Sequence, residues 1–125
     1  MKGIQTYRKQ SVTFSTNEDL VLRLFERALL KMWEGHMFLS EGDKSAAVGP
    51  LQISRQIICE LLGCLDYEDG GEIASNLNQL YIWLLKEISR SGFEGDPEML
   101  EGAIEVLDNI YGGFRDAFEQ EENNG

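Results

Sequence analysis

The sequence predicts an all-α fold, an antiparallel up-down four-helix bundle with a flexible N-terminal arm, and three observations carry that prediction. Apolar residues recur at three- and four-residue steps through four successive stretches, the period of a helix with one buried face. Short polar or glycine-containing breaks separate the stretches, and connections that short join antiparallel neighbours. No stretch sustains the two-residue alternation of a strand. A chain of 125 residues with 42% hydrophobic side chains suffices for one domain with a real core.

Residues 1–14 show no helical stripe and read as an arm that carries two large side chains, Tyr7 and Phe14. Ser15-Thr16-Asn17-Glu18-Asp19 reads as a helix start. Either hydroxyl is placed to cap, since Glu18 and Asp19 follow them at three residues. The first helix is expected from about Asn17 to Ser40, with Val21, Phe25, Ala28, Met32 and Leu39 on its stripe and Leu22, Leu29 and His36 beside it. Gly42-Asp43 ends the pattern. Lys44 to Pro50 reads either as a loop or as the first turn of the next helix, because proline suits an early turn better than an interior one.

The second helix carries Ile53, Ile57, Ile58, Leu61, Leu62 and Leu65 until Gly70-Gly71 breaks it. The third carries Ile73, Ala74, Leu77, Leu80, Tyr81, Leu84, Leu85 and Ile88, and Ser91 to Gly95 closes it. Asp96-Pro97-Glu98 supplies a cap, a first-turn proline and an acid, which together start a helix. The fourth helix follows with Leu100, Ala103, Ile104, Leu107, Ile110, Tyr111, Phe114 and Phe118. Gly112-Gly113 weakens its middle by roughly 1 kcal/mol per glycine. The expected division is therefore an arm over 1–14, the bundle over 15–120 and a disordered acidic tail over 121–125.

Charge and composition narrow the function. Asp plus Glu outnumber Lys plus Arg by 22 to 11, for a formal charge of −11. Nucleic acids and anionic membrane surfaces both call for a basic face, so neither is an expected partner. No apolar run approaches the roughly 20 residues that cross a bilayer, and Met1 to Tyr7 holds no apolar leader core, so a cytoplasmic location is expected. Cys59 and Cys64 lie five apart, about 140° on a helix, and read as small hydrophobes rather than a bridged pair. One histidine, His36, cannot supply a zinc set, and it has no serine or cysteine partner by spacing. Gly70-Gly71 has neither the lysine nor the preceding strand of a phosphate loop. No cofactor, metal or enzymatic activity is expected.

What remains is apolar surface in excess of a four-helix core. Trp83 is rotated by about 200° from Tyr81, off the core stripe, on a line with Asn76, Leu80 and Glu87. A tryptophan placed so reads either as an interface residue or as a partly buried side chain packed on its own neighbours. Ile82 is off the stripe too. Ile53, Ile57 and Leu61 read either as pure core or as the wall of a groove. Helix-in-groove recognition of a partner is the mechanism such a surface supports.

Particular residues also resemble a known family. Leu65-Asp66, Gly70-Gly71-Glu72-Ile73-Ala74, Asn76-Leu77 and Leu80-Tyr81 are similar to the central signature of the flagellin export chaperones, the FliS family. Ile57-Ile58 and Glu60-Leu61 resemble the segment before it. Leu24-Phe25 with Ala28-Leu29 stands where the family has Leu-Tyr-x-x-Ala-Leu, and Phe114-Arg115-Asp116-Ala117-Phe118 resembles its closing Leu-Arg-x-Ala-Trp. The likeness runs over about residues 7–119. Departures are Thr16-Asn17 in place of Ser-Pro, Arg27 in place of a small residue, and Phe118 in place of the tryptophan.

The resemblance implies a cytoplasmic export chaperone that binds the disordered C-terminal region of flagellin as helices in apolar grooves. It would prevent premature polymerisation and aid flagellar type III export. It also implies the export apparatus and other flagellar regulators as further partners, and a displaceable N-terminal arm. The residues expected to bind cargo are Tyr7, which matches a tyrosine common in the family, Ile53, Ile57, Leu61, Asn76, Leu80 and Trp83. The alternative is a related bundle acting as an adaptor or regulator for another flagellar or secretion component.

Overall fold

The computed structural model describes residues 17–124, with side chains to Glu121. The expected arm, with Tyr7, Phe14, Ser15 and Thr16, lies outside the described residues. The described chain forms four helices: α1 Glu18–Ser40, α2 Lys44–Gly63, α3 Tyr67–Glu94 and α4 Pro97–Asn124. No strand occurs among the described residues.

Each helix opens on an Asn or Asp whose side chain takes up backbone N–H groups left bare by the first turn. Asn17 Oδ1 accepts from the amides of Asp19 at 2.8 Å and Leu20 at 3.3 Å. The cap of α1 is thus Asn17, one or two residues later than the two hydroxyls suggest, and its amide oxygen takes up the N–H groups of the second and third helical residues. Asp43 accepts from Ala46 N at 3.0 Å, Asp66 from Glu68 and Asp69 N at 3.1 Å, and Asp96 from Glu98 N at 3.0 Å.

Two boundaries differ from the sequence expectation. The whole of Lys44–Pro50 is helical, so Pro50 lies inside α2 rather than in its first turn. The residue before a proline is normally pushed out of the helical region by its own Cβ; here it is Gly49, which has none. In α4 the Gly112-Gly113 pair does not interrupt the helix, which runs on to Asn124, beyond the expected end at 120. Tyr111, Phe114 and Phe118 pin that half: Phe25 of α1 lies 5.9 Å from the Tyr111 ring and 6.0 Å from the Phe114 ring. The expected break at Gly70-Gly71 is present as a kink. Gly71 has φ 51°, ψ −124°, which separates one opening turn from the main length of α3.

The helices form a closed ring in which α1 packs on α2 and α4, α2 on α3, and α3 on α4. Connections of two or three residues make consecutive helices antiparallel. Val21, Phe25, Ala28 and Met32 of α1 meet Ala47, Ile58 and Leu61 of α2, Ala74, Tyr81, Leu84 and Ile88 of α3, and Leu100, Ala103 and Leu107 of α4 in one fully or almost fully buried core. The α1–α2 contact is the most extensive of the four and α3–α4 the least.

Candidate functional site

Beside this core runs an open furrow between α2 and α3, with a cavity of about 250 Å³. Helix period builds both walls. Lys44, Val48, Gln52 and Arg55 recur at three- and four-residue steps on α2, and Leu85, Ser89 and Phe93 do so on α3. Ile82 continues the α3 stripe by the same step. Leu51, Ile88 and Gly92 form the floor, and the first two are buried. Gly92 lets the helices come together there, since a Cβ on it would lie 3.2 Å from Leu51 Cδ1.

The rims are apolar and open. Phe93 is 82% exposed and Val48 60% exposed. The Lys44 ammonium sits 5.9 Å from the centre of the Phe93 ring, close enough for a cation–π attraction across the mouth. A second, shallower depression lined by Arg55, Leu85, Lys86, Ser89 and Arg90 continues the furrow, since Arg55 and Ser89 line both. Burying a side chain such as Phe93 against a partner is worth roughly 1.5–3 kcal/mol. The surface can therefore bind an apolar segment laid along it.

The residues expected from sequence divide into three groups. Asn76, Leu80 and Trp83 are exposed and share one strip of α3 with Ile73, and Trp83 is 39% exposed. That strip lies on the flank of α3 opposite the furrow, since Trp83 and Leu85 are about 200° apart. Ile57 and Leu61 lie in the core and offer a partner no surface; Leu61 is fully buried. Of the two readings their spacing leaves open, the structure has the core one, because Ile57, Ile58 and Leu61 together face the other helices. Ile53 is half-buried on α2 and packs against the core. Tyr7 lies outside the described residues.

Val48 and Phe93 are what sequence reasoning missed. Each sits in a stretch that reads as a loop or helix end, and only the antiparallel register of α2 against α3 places them across one furrow. The available signal was the pair of stripes at three- and four-residue steps, once α2 is known to begin at Lys44. A separate exposed apolar strip, Leu30, Trp33 and Met37, lies on α1. There the Trp33 ring meets His36 edge-on at 5.1 Å, and His36 Nε2 lies 2.8 Å from Glu101 Oε2, tying α1 to α4.

Among the described residues the furrow presents apolar, basic, hydroxyl and amide side chains. Its lining holds no His, Cys, Asp or Glu. Cys59 is exposed and Cys64 half-buried, and both are free thiols. Burial, and then the carboxylate of Glu60, push the Cys64 thiol up, which lowers its thiolate fraction. Among the described residues no group of three or more His, Cys, Asp or Glu is placed to hold a metal, and no helix is long and apolar enough to cross a membrane.

Comparison with known proteins supplies the family. The family model described as "Flagellar protein FliS" matches residues 1–121. The flagellar secretion chaperone FliS of Vibrio cholerae is 32% identical over 115 residues, covering 88% of this chain and 85% of that protein. The protein of the same name from Salmonella typhimurium is 31% identical over 113 residues, covering 86% and 84%. The one from Campylobacter jejuni is 25% identical over 115 residues, covering 92% and 90%. A four-helix bundle with an open apolar furrow and a family match over nearly its whole length belongs to the FliS family of flagellar secretion chaperones.

Proposed function

We propose that this protein is a cytoplasmic flagellar export chaperone that binds the disordered C-terminal region of flagellin as a helix in the α2/α3 furrow. Occupied there, the segment is kept from premature polymerisation and is carried to the flagellar type III export apparatus. The observation that carries the reading is the furrow itself, whose exposed Val48 and Phe93 stand over the buried floor of Leu51 and Ile88. A disordered segment that folds on binding gives up ordering entropy, so it needs a long apolar contact. The 20 residues of α2 offer a track of about 30 Å. The strip of Asn76, Leu80 and Trp83 is a second proposed contact, reached by cargo that passes round α3, and Tyr7 is a third.

Calorimetric titration with a flagellin C-terminal peptide tests this. Affinity in the micromolar range or tighter, with a negative heat-capacity change, is the expected result. Absence of binding at high peptide concentration overturns it.

A second reading, as adaptor or regulator for another flagellar component, is favoured by one observation. Leu30, Trp33 and Met37 form an apolar strip on α1, a helix that contributes nothing to the furrow. If the flagellin peptide fails and another secretion component binds, that reading stands.

A further inference from the structure

We infer that the segment seated in the α2/α3 furrow carries carboxylates on both sides of its apolar positions: the furrow is built for an acidic amphipathic helix. This rests on the preceding reading of the furrow as a docking site and adds the chemistry of its occupant. Asp and Glu outnumber Lys and Arg twofold in the whole chain. In α2 and α3 the basic residues are Lys44, Arg55, Lys86 and Arg90, and all four line the furrow and its continuation. The six acids of the same two helices, Glu60, Glu68, Asp69, Glu72, Glu87 and Glu94, line neither. Within these two helices the positive charge is gathered along one apolar track and the negative charge is kept off it.

Two of those cations are uncommitted. Arg90 is engaged by Glu87 at 3.1 Å and Glu94 at 3.8 Å, and Lys44 leans on the Phe93 ring. Arg55 and Lys86 make no ion pair among the described residues, and they stand on opposite walls, one on α2 and one on α3. An apolar stripe seated between them meets a guanidinium on one side and an ammonium on the other. The guanidinium offers a forked pair of donors that fits a carboxylate. The sign excludes two other occupants. Residues 1–16 hold Lys2, Arg8 and Lys9 and no acid, the wrong charge for this track. A cargo helix flanked by lysines would meet like charge on both walls.

The test uses the full chain and three designed amphipathic peptides with identical apolar positions, flanked by Glu, by Gln or by Lys, together with the flagellin C-terminal peptide. The chain should prefer Glu to Gln to Lys, with about tenfold or more between the ends of the series, as expected for two charge contacts of ordinary strength. Arg55→Glu with Lys86→Glu should reverse that order. Arg23→Glu with Arg27→Glu on α1, which changes net charge equally away from the furrow, should preserve it. Equal affinity for all three peptides, or a preference for Lys, overturns the inference. So does a shift from monomer to oligomer that the furrow variants abolish, because the occupant would then be a second copy. Flagellin peptide that binds the wild type and the double furrow variant equally overturns the acidic chemistry and leaves the chaperone reading standing. Glu-flanked peptide that binds while flagellin peptide does not supports the chemistry and removes flagellin as its source.

Discussion

Gly35 of α1 stands directly against Leu51 of α2. A Cβ built on the glycine would lie 2.7 Å from Leu51 Cγ and closer still to its Cδ2. Leu51 is held from the other side as well, with its Cδ1 against Gly92 of α3. One leucine is thus wedged between two glycines on two helices, and it is also the floor of the furrow. Gly35→Ala should therefore destabilise the bundle by about 1–3 kcal/mol through overpacking. It should do so although alanine is favoured over glycine in a helix by about 1 kcal/mol. Urea unfolding measures the difference, and a more stable variant contradicts the packing described.

Leu61 and Phe93 separate the core from the proposed docking surface. Leu61 is fully buried, so Leu61→Ala should cost about 2–5 kcal/mol. Phe93 is largely exposed and gives up only its contact with Lys44, so Phe93→Ala should cost at most about 1 kcal/mol. Thermal unfolding of the two variants checks the pair. Equal losses would mean that Phe93 is core.

Tyr81 is fully buried, and its hydroxyl finds no hydrogen-bond partner among the described residues. Removing an unpaired buried hydroxyl relieves its desolvation. Tyr81→Phe is accordingly expected to be neutral or stabilising, by up to about 1 kcal/mol. A loss of more than that in chemical denaturation would reveal a partner.

The same residue sets the alkaline limit. Burial, and then a thiolate at Cys64, hold the Tyr81 phenol well above its ordinary value of 10.0. Tyr111 moves the same way, chiefly because its hydroxyl donates to Glu26 Oε2 at 2.6 Å and that bond needs the proton. Between the unfolded and folded values the unfolded chain holds fewer protons, so stability falls as pH rises. The stabilisation is complete below about pH 10 and is lost progressively above it. Denaturation midpoints from pH 8 upward should show this decline, and Tyr81→Phe should flatten it.

Much of the fold was legible because its signals are local. The stripe from Val21 to Leu39 and the start at Asp96-Pro97 need only helix period and cap chemistry. Trp83 could be placed off the core stripe from its rotation alone. The misplaced features depend on context. Lys44 to Pro50 reads either as a loop or as a first turn until the Asp43 cap and buried Ala47 show a helix already under way by Pro50. Ile57 and Leu61 could not be assigned to core or groove, since a helix with apolar residues on several sides has no single preferred face. The furrow was hidden most deeply. Val48 and Phe93, and likewise Arg55 and Lys86, lie far apart in sequence and become neighbours only through the register of α2 against α3.

The most direct measurement is the affinity of flagellin C-terminal peptide for the wild type, Val48→Asp and Phe93→Ala, with melting temperatures recorded alongside. Docking in the furrow predicts that both variants bind at least about tenfold more weakly, a loss near 1.4 kcal/mol, while their melting temperatures stay close to that of the wild type. Peptide that binds all three proteins with the same affinity would place the cargo elsewhere and contradict the account.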